Sequence, residues 1–71
     1  MNKVYNTIFI NGQAFNCAKS MSLKELLVYL EFDLSLIVIE YNNNIVNSYE
    51  FKNIFLKPQD KIEIITIVGG G

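Results

Sequence analysis

The sequence predicts an α+β fold: one mixed sheet of four to five strands with a single helix packed across it. Three observations carry this. Apolar residues alternate with period two near both ends of the chain, over Val4 to Ile10 and Lys61 to Val68, as in strands with one buried face. A single stretch has helical spacing, and it starts at a capping signal. The strand-like stretches lie on both sides of that helix in sequence, so it can serve as the crossover that lets the first and last strands run parallel.

In the first strand, Val4, Ile8 and Ile10 share one face, with Asn6 as its weak member. Asn11-Gly12 is a hairpin signal, because both central positions of a type I′ turn require positive φ. Ala14 to Ala18 returns, with Phe15 and Cys17 on one side. Ser22-Leu23-Lys24-Glu25 is a capping box. The helix it opens extends to about Phe32, with Leu23, Leu26, Leu27 and Leu30 as its apolar stripe. A third strand covers Leu36 to Tyr41. Its run Leu36-Ile37-Val38-Ile39 is apolar on both faces, so it belongs inside the sheet. Ile37, Ile39 and Tyr41 are assigned inward, Val38 and Glu40 outward. Asn42-Asn43-Asn44 is a turn and Ile45 to Asn47 a short edge strand. Ser48 to Leu56 has no clean period and is expected to be irregular or 3₁₀, anchored by Phe51, Ile54 and Leu56. Lys57-Pro58-Gln59-Asp60 turns the chain into the last strand. This order describes the β-grasp, or ubiquitin-like, arrangement.

The chain has 71 residues, enough for one domain. An apolar fraction of 51% supplies a core and argues against disorder. Six scattered lysines, no arginine and a net charge of −1 leave no basic stripe for nucleic acid. One cysteine and no histidine leave no basis for a zinc site or a Cys–His nucleophile. Cys17 reads as a small buried hydrophobe, and the cysteine usage fits a reducing compartment. No run approaches a membrane span, and the first residues lack the layout of a signal peptide. The expected location is the cytoplasm, or a plastid stroma if the protein is organelle-encoded. Asp33, Glu40 and Asp60 are isolated in sequence and form no acid–base pair, so no catalytic residue is assigned.

The division expected is a body over 1–68 and a glycine tail over 69–71. Gly69, Gly70 and Gly71 carry no side chains and follow an apolar strand with no polar linker between. Such a tail is either a frayed end or a carboxylate held out at short reach from a rigid body.

Asp60-Lys61-Ile62-Glu63-Ile64-Ile65-Thr66-Ile67-Val68-Gly69-Gly70-Gly71 resembles the end of the ThiS family, the sulfur carriers of thiazole synthesis. Ile8-Phe9-Ile10-Asn11-Gly12 resembles that family's first hairpin and Ser22-Leu23-Lys24-Glu25-Leu26-Leu27 its helix start. Val38-Ile39-Glu40-Tyr41-Asn42 with Ile45-Val46 resembles its central hairpin. The chain departs from the family at Asn47-Ser48, where Pro-Arg is frequent, and at Phe51, near a common Trp.

The resemblance implies a carrier acted on by other enzymes. An E1-like adenylyltransferase (ThiF-like) would use ATP to adenylate the Gly71 carboxylate, and a cysteine desulfurase relay would supply sulfur for a thiocarboxylate. A thiazole synthase (ThiG-like) would receive that sulfur. Gly69 and Gly70 would thread the partners' channels. With Ile62 and Ile64 inward, Glu63, Ile65 and Ile67 point outward; together with Val38, Glu40 and Val68 they form the expected partner interface. Alternatives are a carrier of the MoaD type serving pterin synthesis, a protein-modifying ubiquitin-like tag, and a passive β-grasp binding module.

Overall fold

The computed structural model describes residues 4–67. The expectations for Val68, Gly69, Gly70 and Gly71 lie outside the described residues. Strand β1 (Tyr5–Ile10) is joined to β2 (Gln13–Ala18) by a tight turn with Asn11 at φ 48° and Gly12 at φ 83°. Helix α1 follows (Leu23–Tyr29), then a 3₁₀ turn over Leu34–Leu36, strand β3 (Ile37–Tyr41) and strand β4 (Asn44–Val46). A second 3₁₀ segment, Ser48–Asn53, precedes strand β5 (Lys61–Thr66).

The five strands form one sheet in the order β2-β1-β5-β3-β4. Strand β5 lies in the middle, parallel to β1 and antiparallel to β3. The core sits between the sheet and α1. Ile8, Leu23, Leu26, Leu27, Ile39 and Ile62 are fully buried there, with Phe51 and Leu56 closing it from the 3₁₀ side.

The capping box forms as the spacing predicts. The Glu25 amide donates to Ser22 Oγ at 3.0 Å, and the Ser22 amide donates to Glu25 Oε1 at 2.8 Å. The helix is shorter than the expectation of Phe32. Glu31 adopts φ 66°, its amide donates to the Val28 carbonyl, and the Phe32 amide reaches back to the Leu27 carbonyl at 3.0 Å. This is a Schellman closure with Glu where glycine is usual, which is why no breaker is visible in the sequence. Similarly, Leu36 belongs to a 3₁₀ turn rather than to β3. Strand β4 starts one residue early, at Asn44, because Asn42 (φ 48°) and Asn43 (φ 72°) alone make the turn.

Two buried polar residues find partners remote in sequence. Asn6, on the inward face of β1, donates through Nδ2 to the Leu56 carbonyl at 3.2 Å. Asp60 is 5% exposed. Its Oδ2 accepts from the Tyr41 hydroxyl at 2.5 Å and from the Lys57 amide at 2.8 Å, and its Oδ1 accepts from Asn42 Nδ2 at 3.1 Å. A buried carboxylate is tolerable only with such donors. Asp60 thereby ties the end of β3 to the turn that starts β5. The Lys61 amide, donating to Asn42 Oδ1, and the Asn42 amide, donating to the Lys61 carbonyl, complete the join.

This join carries a pH signature. Burial, then the hydrogen bond and charge of Asp60, push the Tyr41 phenol above its ordinary value near 10. The fold therefore favours the neutral phenol. Its contribution is intact below about pH 10 and is lost as pH rises through the higher folded value. Burial raises the Cys17 thiol from 9.0 as well, with the same sign. Stability measured by urea titration is expected to fall from about pH 9, through Cys17, and further above about pH 10, through Tyr41. Tyr41→Phe is expected to flatten that fall without abolishing the Cys17 share. An unchanged alkaline slope in Tyr41→Phe would refute the assignment.

Candidate functional site

The site expected from the sequence is the outer face of the sheet beside the start of the tail. The register places its residues together. Val38 lies opposite Ile65, and Glu40 opposite Glu63. Ile65 and Ile67 are about half exposed, at 52% and 48%, while Ile62 and Ile64 are buried. Val38 and Glu40 are half-buried and Glu63 is exposed. Val68 is the one expected interface residue outside the described set.

Two further residues join this face. Ile45, 69% exposed, pairs with Glu40 from β4, so its side chain shares the outer face. Leu36, 45% exposed, lies beside Ile67, whose amide donates to the Leu36 carbonyl at 2.7 Å. Leu36 was masked by its position in an apolar run that reads as strand. Ile45 could have been found by alternation with Val46, which packs against the core. Glu40 and Glu63 face each other across the ladder, a pairing of like charges that weakens a sheet. Val38, Ile65, Ile67, Leu36 and Ile45 surround them with exposed aliphatic surface. Apolar patches of this kind mark interaction sites.

Two devices fix the direction in which the chain leaves this face. On the β3 side, Asp33 Oδ1 accepts from the Ser35 amide at 3.0 Å and the Ser35 hydroxyl at 2.6 Å, shaping the turn that presents the Leu36 carbonyl to Ile67. The Ser35 hydroxyl, then its amide, hold the Asp33 carboxyl below its usual range. On the β1 side, pairing with β5 extends only to Ile10↔Ile62, because β1 ends at the hairpin turn. The Asn11 side chain takes over where the strand stops. The Ile64 amide donates to Asn11 Oδ1 at 2.7 Å, and Asn11 Nδ2 donates to the Ile64 carbonyl at 3.4 Å. The turn asparagine thus acts as a one-residue surrogate strand that holds β5 up to Ile64, while β3 pairs with it up to Thr66 and the Leu36 carbonyl just before β3 holds Ile67.

No cluster of His, Cys, Asp and Glu among the described residues has metal-ligand geometry. No described helix is long and apolar enough to cross a membrane. What the arrangement offers is a strand bonded on both sides with an apolar outer face, ending at Thr66, two residues before Val68.

The ThiS family model matches residues 8–71, from within β1 through Gly71. The chain belongs to the ThiS family. Members of that family are small sulfur carrier proteins, and the β-grasp sheet of this chain agrees with that of solved members. The crystal structure of a thiamine biosynthesis protein (ThiS) from Geobacter metallireducens superposes with a TM-score of 0.79 at 25% identity, covering 92% of this chain and 99% of that one. The same Geobacter protein in solution gives 0.75. Among curated proteins, the uncharacterized protein ycf40 of Trieres chinensis is 49% identical over 65 residues, 92% of this chain and 89% of its own length. That of Porphyra purpurea is 48% identical, with 92% of both chains covered. A thiazole synthase of Paramagnetospirillum magneticum is 33% identical over 64 residues, which are 90% of this ThiS-family chain but 20% of that enzyme.

Proposed function

We propose that this chain carries sulfur for thiazole formation as a thiocarboxylate on Gly71. The observation that carries the reading is the continuity between the family match, which extends through Gly71, and the clamped, apolar-faced strand that leads into the glycines. A carboxylate is a poor electrophile. Attack of a Gly71 carboxylate oxygen on the α-phosphorus of ATP forms an acyl-adenylate and releases pyrophosphate. The outer sulfur of a cysteine persulfide on a desulfurase relay then adds to the acyl carbon and the C–O bond to AMP breaks, giving an acyl disulfide. A second thiol of the relay attacks the relay cysteine's own sulfur in that S–S bond, forming a disulfide with that cysteine and releasing the thiocarboxylate. An E1-like adenylyltransferase supplies the ATP site, and a thiazole synthase accepts the sulfur. The thiazole synthase that contains a segment similar to this chain supports that acceptor over a pterin enzyme.

In this reading Gly69 and Gly70 give clearance in both partners' channels. Val38, Glu40, Glu63, Ile65, Ile67 and Val68 form the docking face, with Leu36 and Ile45 at its margins. The protein acts in the compartment where it is made, a stroma if the gene is an organelle's. The decisive experiment is intact mass after incubation with ATP, an E1-like adenylyltransferase and a persulfide donor. The expected gain is the difference between sulfur and oxygen, located at Gly71 by fragmentation. No gain with an adenylyltransferase active on another ThiS protein overturns the proposal.

The docking face makes its own prediction. Ile65→Glu adds a third carboxylate beside Glu40 and Glu63 at an exposed position. Its melting temperature is expected to stay near that of the parent, while adenylation slows by about 10- to 100-fold, the loss typical of a central interface anchor. Unaltered adenylation kinetics would exclude this face as the E1 contact.

A further inference from the structure

The sheet has two edges, and they differ. Edge strand β4 has three residues, Asn44–Val46, the brevity that natural sheets use to avoid adding further strands. Edge strand β2 has six, Gln13 to Ala18, with no charge and no proline. Its pairing with β1 runs without a bulge from Tyr5↔Ala18 to Ile10↔Gln13.

The direction of its free backbone groups follows from one bond. The Lys19 amide donates to the Val4 carbonyl at 3.1 Å, so Cys17, Phe15 and Gln13 also turn their backbone groups toward β1. Ala14, Asn16 and Ala18 turn theirs away, and among the described residues no strand meets them. The Ala18 carbonyl has one partner, the Met21 amide at 3.3 Å, and retains a second lone pair. On the outer face, the Asn16 side chain is drawn back over β1 by the Thr7 hydroxyl, which donates to Asn16 Oδ1 at 2.9 Å. Ala14 and Ala18 are too small to obstruct an approach. On the helix side a shallow groove of about 230 Å³ runs along the strand, its walls including Phe15, Cys17, Met21 and the exposed Tyr29.

We propose that this edge binds a second copy of the chain, β2 against β2 in antiparallel register about a two-fold axis at Asn16. Asn16 then faces Asn16 of the second copy, and each Ala14 faces an Ala18, so the three outward amides of each copy all find carbonyls. Small residues meet small residues on the outer face. On the other face each Phe15 falls opposite a Cys17, beside the groove that needs filling. Charge favours self-pairing too. The strand itself is neutral, and each Lys19 comes opposite a Gln13, about 20 Å from the other Lys19 at strand spacing, well beyond the screening length of about 8 Å. The two β5 strands would lie five strand spacings apart, roughly 24 Å, and run in opposite directions. Both docking faces and the Thr66 ends of both β5 strands stay clear, so the pairing is compatible with loading of both copies.

The test exploits the symmetric position. In sedimentation from micromolar to millimolar protein, the mass is expected to rise from 8.1 kDa toward twice that value. Hydrogen exchange at high concentration should protect the alternating amides of Ala14, Asn16 and Ala18. Asn16→Lys and Asn16→Glu each place like charges against themselves and should stay monomeric, whereas an equimolar mixture should form the mixed dimer. Protection of the Ile39 and Ile62 amides verifies that both variants fold. A parent that remains monomeric at millimolar concentration, variants that still self-associate, or a mixture that does not pair overturns the proposal; the first result would leave the edge to an extended segment of a different protein.

Discussion

Removing Gly71 is expected to abolish sulfur loading while leaving the melting temperature unchanged. The body is indifferent to this residue because its core is assembled from Ile8 through Ile64. The chemistry is not. Loss of one residue withdraws the terminal carboxylate by up to about 3.5 Å of extended chain, and misplacement by even 1 Å at a reacting centre typically costs about 100-fold. A carboxamide at Gly71 keeps the length but loses the anionic oxygen that must attack ATP, so it should fail as completely. Single-turnover adenylation of the two variants measures both losses. The shortened chain should still compete with the parent for the E1-like partner, because its outer face is intact. Sulfur transfer at the parent's rate from either variant would end the proposal that Gly71 carries the sulfur.

Asp60→Ala is expected to have the largest effect on the fold, about 3–5 kcal/mol by analogy with breaking other buried charged networks. Its removal strands the Tyr41 hydroxyl, the Lys57 amide and Asn42 Nδ2 together. A 71-residue domain has a total stability on the order of 4–10 kcal/mol, so much of it would be gone. Asp60→Asn keeps the shape but can turn only one oxygen toward those donors, and its cost should fall between parent and alanine. Urea unfolding of the three proteins measures this ordering. An alanine variant within 1 kcal/mol of the parent would show that the join between β3 and β5 does not depend on this carboxylate.

The two expectations divide the molecule as the sequence itself does. What could be read from the chain was whatever is signalled by neighbours in sequence. The leucine stripe, the Ser22–Glu25 box, the Asn11-Gly12 turn and the alternation of Ile62 and Ile64 with Glu63 and Ile65 all declare themselves within a few residues. Their consequences for the outer face, including the meeting of Val38 with Ile65, follow from period two and a plausible strand order. The polar fixtures were illegible because their partners are remote: Asn6 with Leu56 is separated by 50 residues and Asn11 with Ile64 by 53. Asp60 read only as an acid isolated in sequence, because Tyr41 and Asn42 reach it only once β3 and β5 are side by side. Helix and strand ends were misjudged where a residue without a breaking tendency does the breaking, as Glu31 does after α1 and Leu36 before β3.

The place of β5 in the middle of the sheet also has a mechanical consequence. Any tension applied to the chain beyond Ile67 is directed along a strand that is bonded on both sides, to β1 and Asn11 on one and to β3 on the other. The load is therefore borne in shear by many bonds together. Were the same end attached to β2 or β4, only one bonded flank would share that load. A partner can tug this end hard without unravelling what it is tugging on.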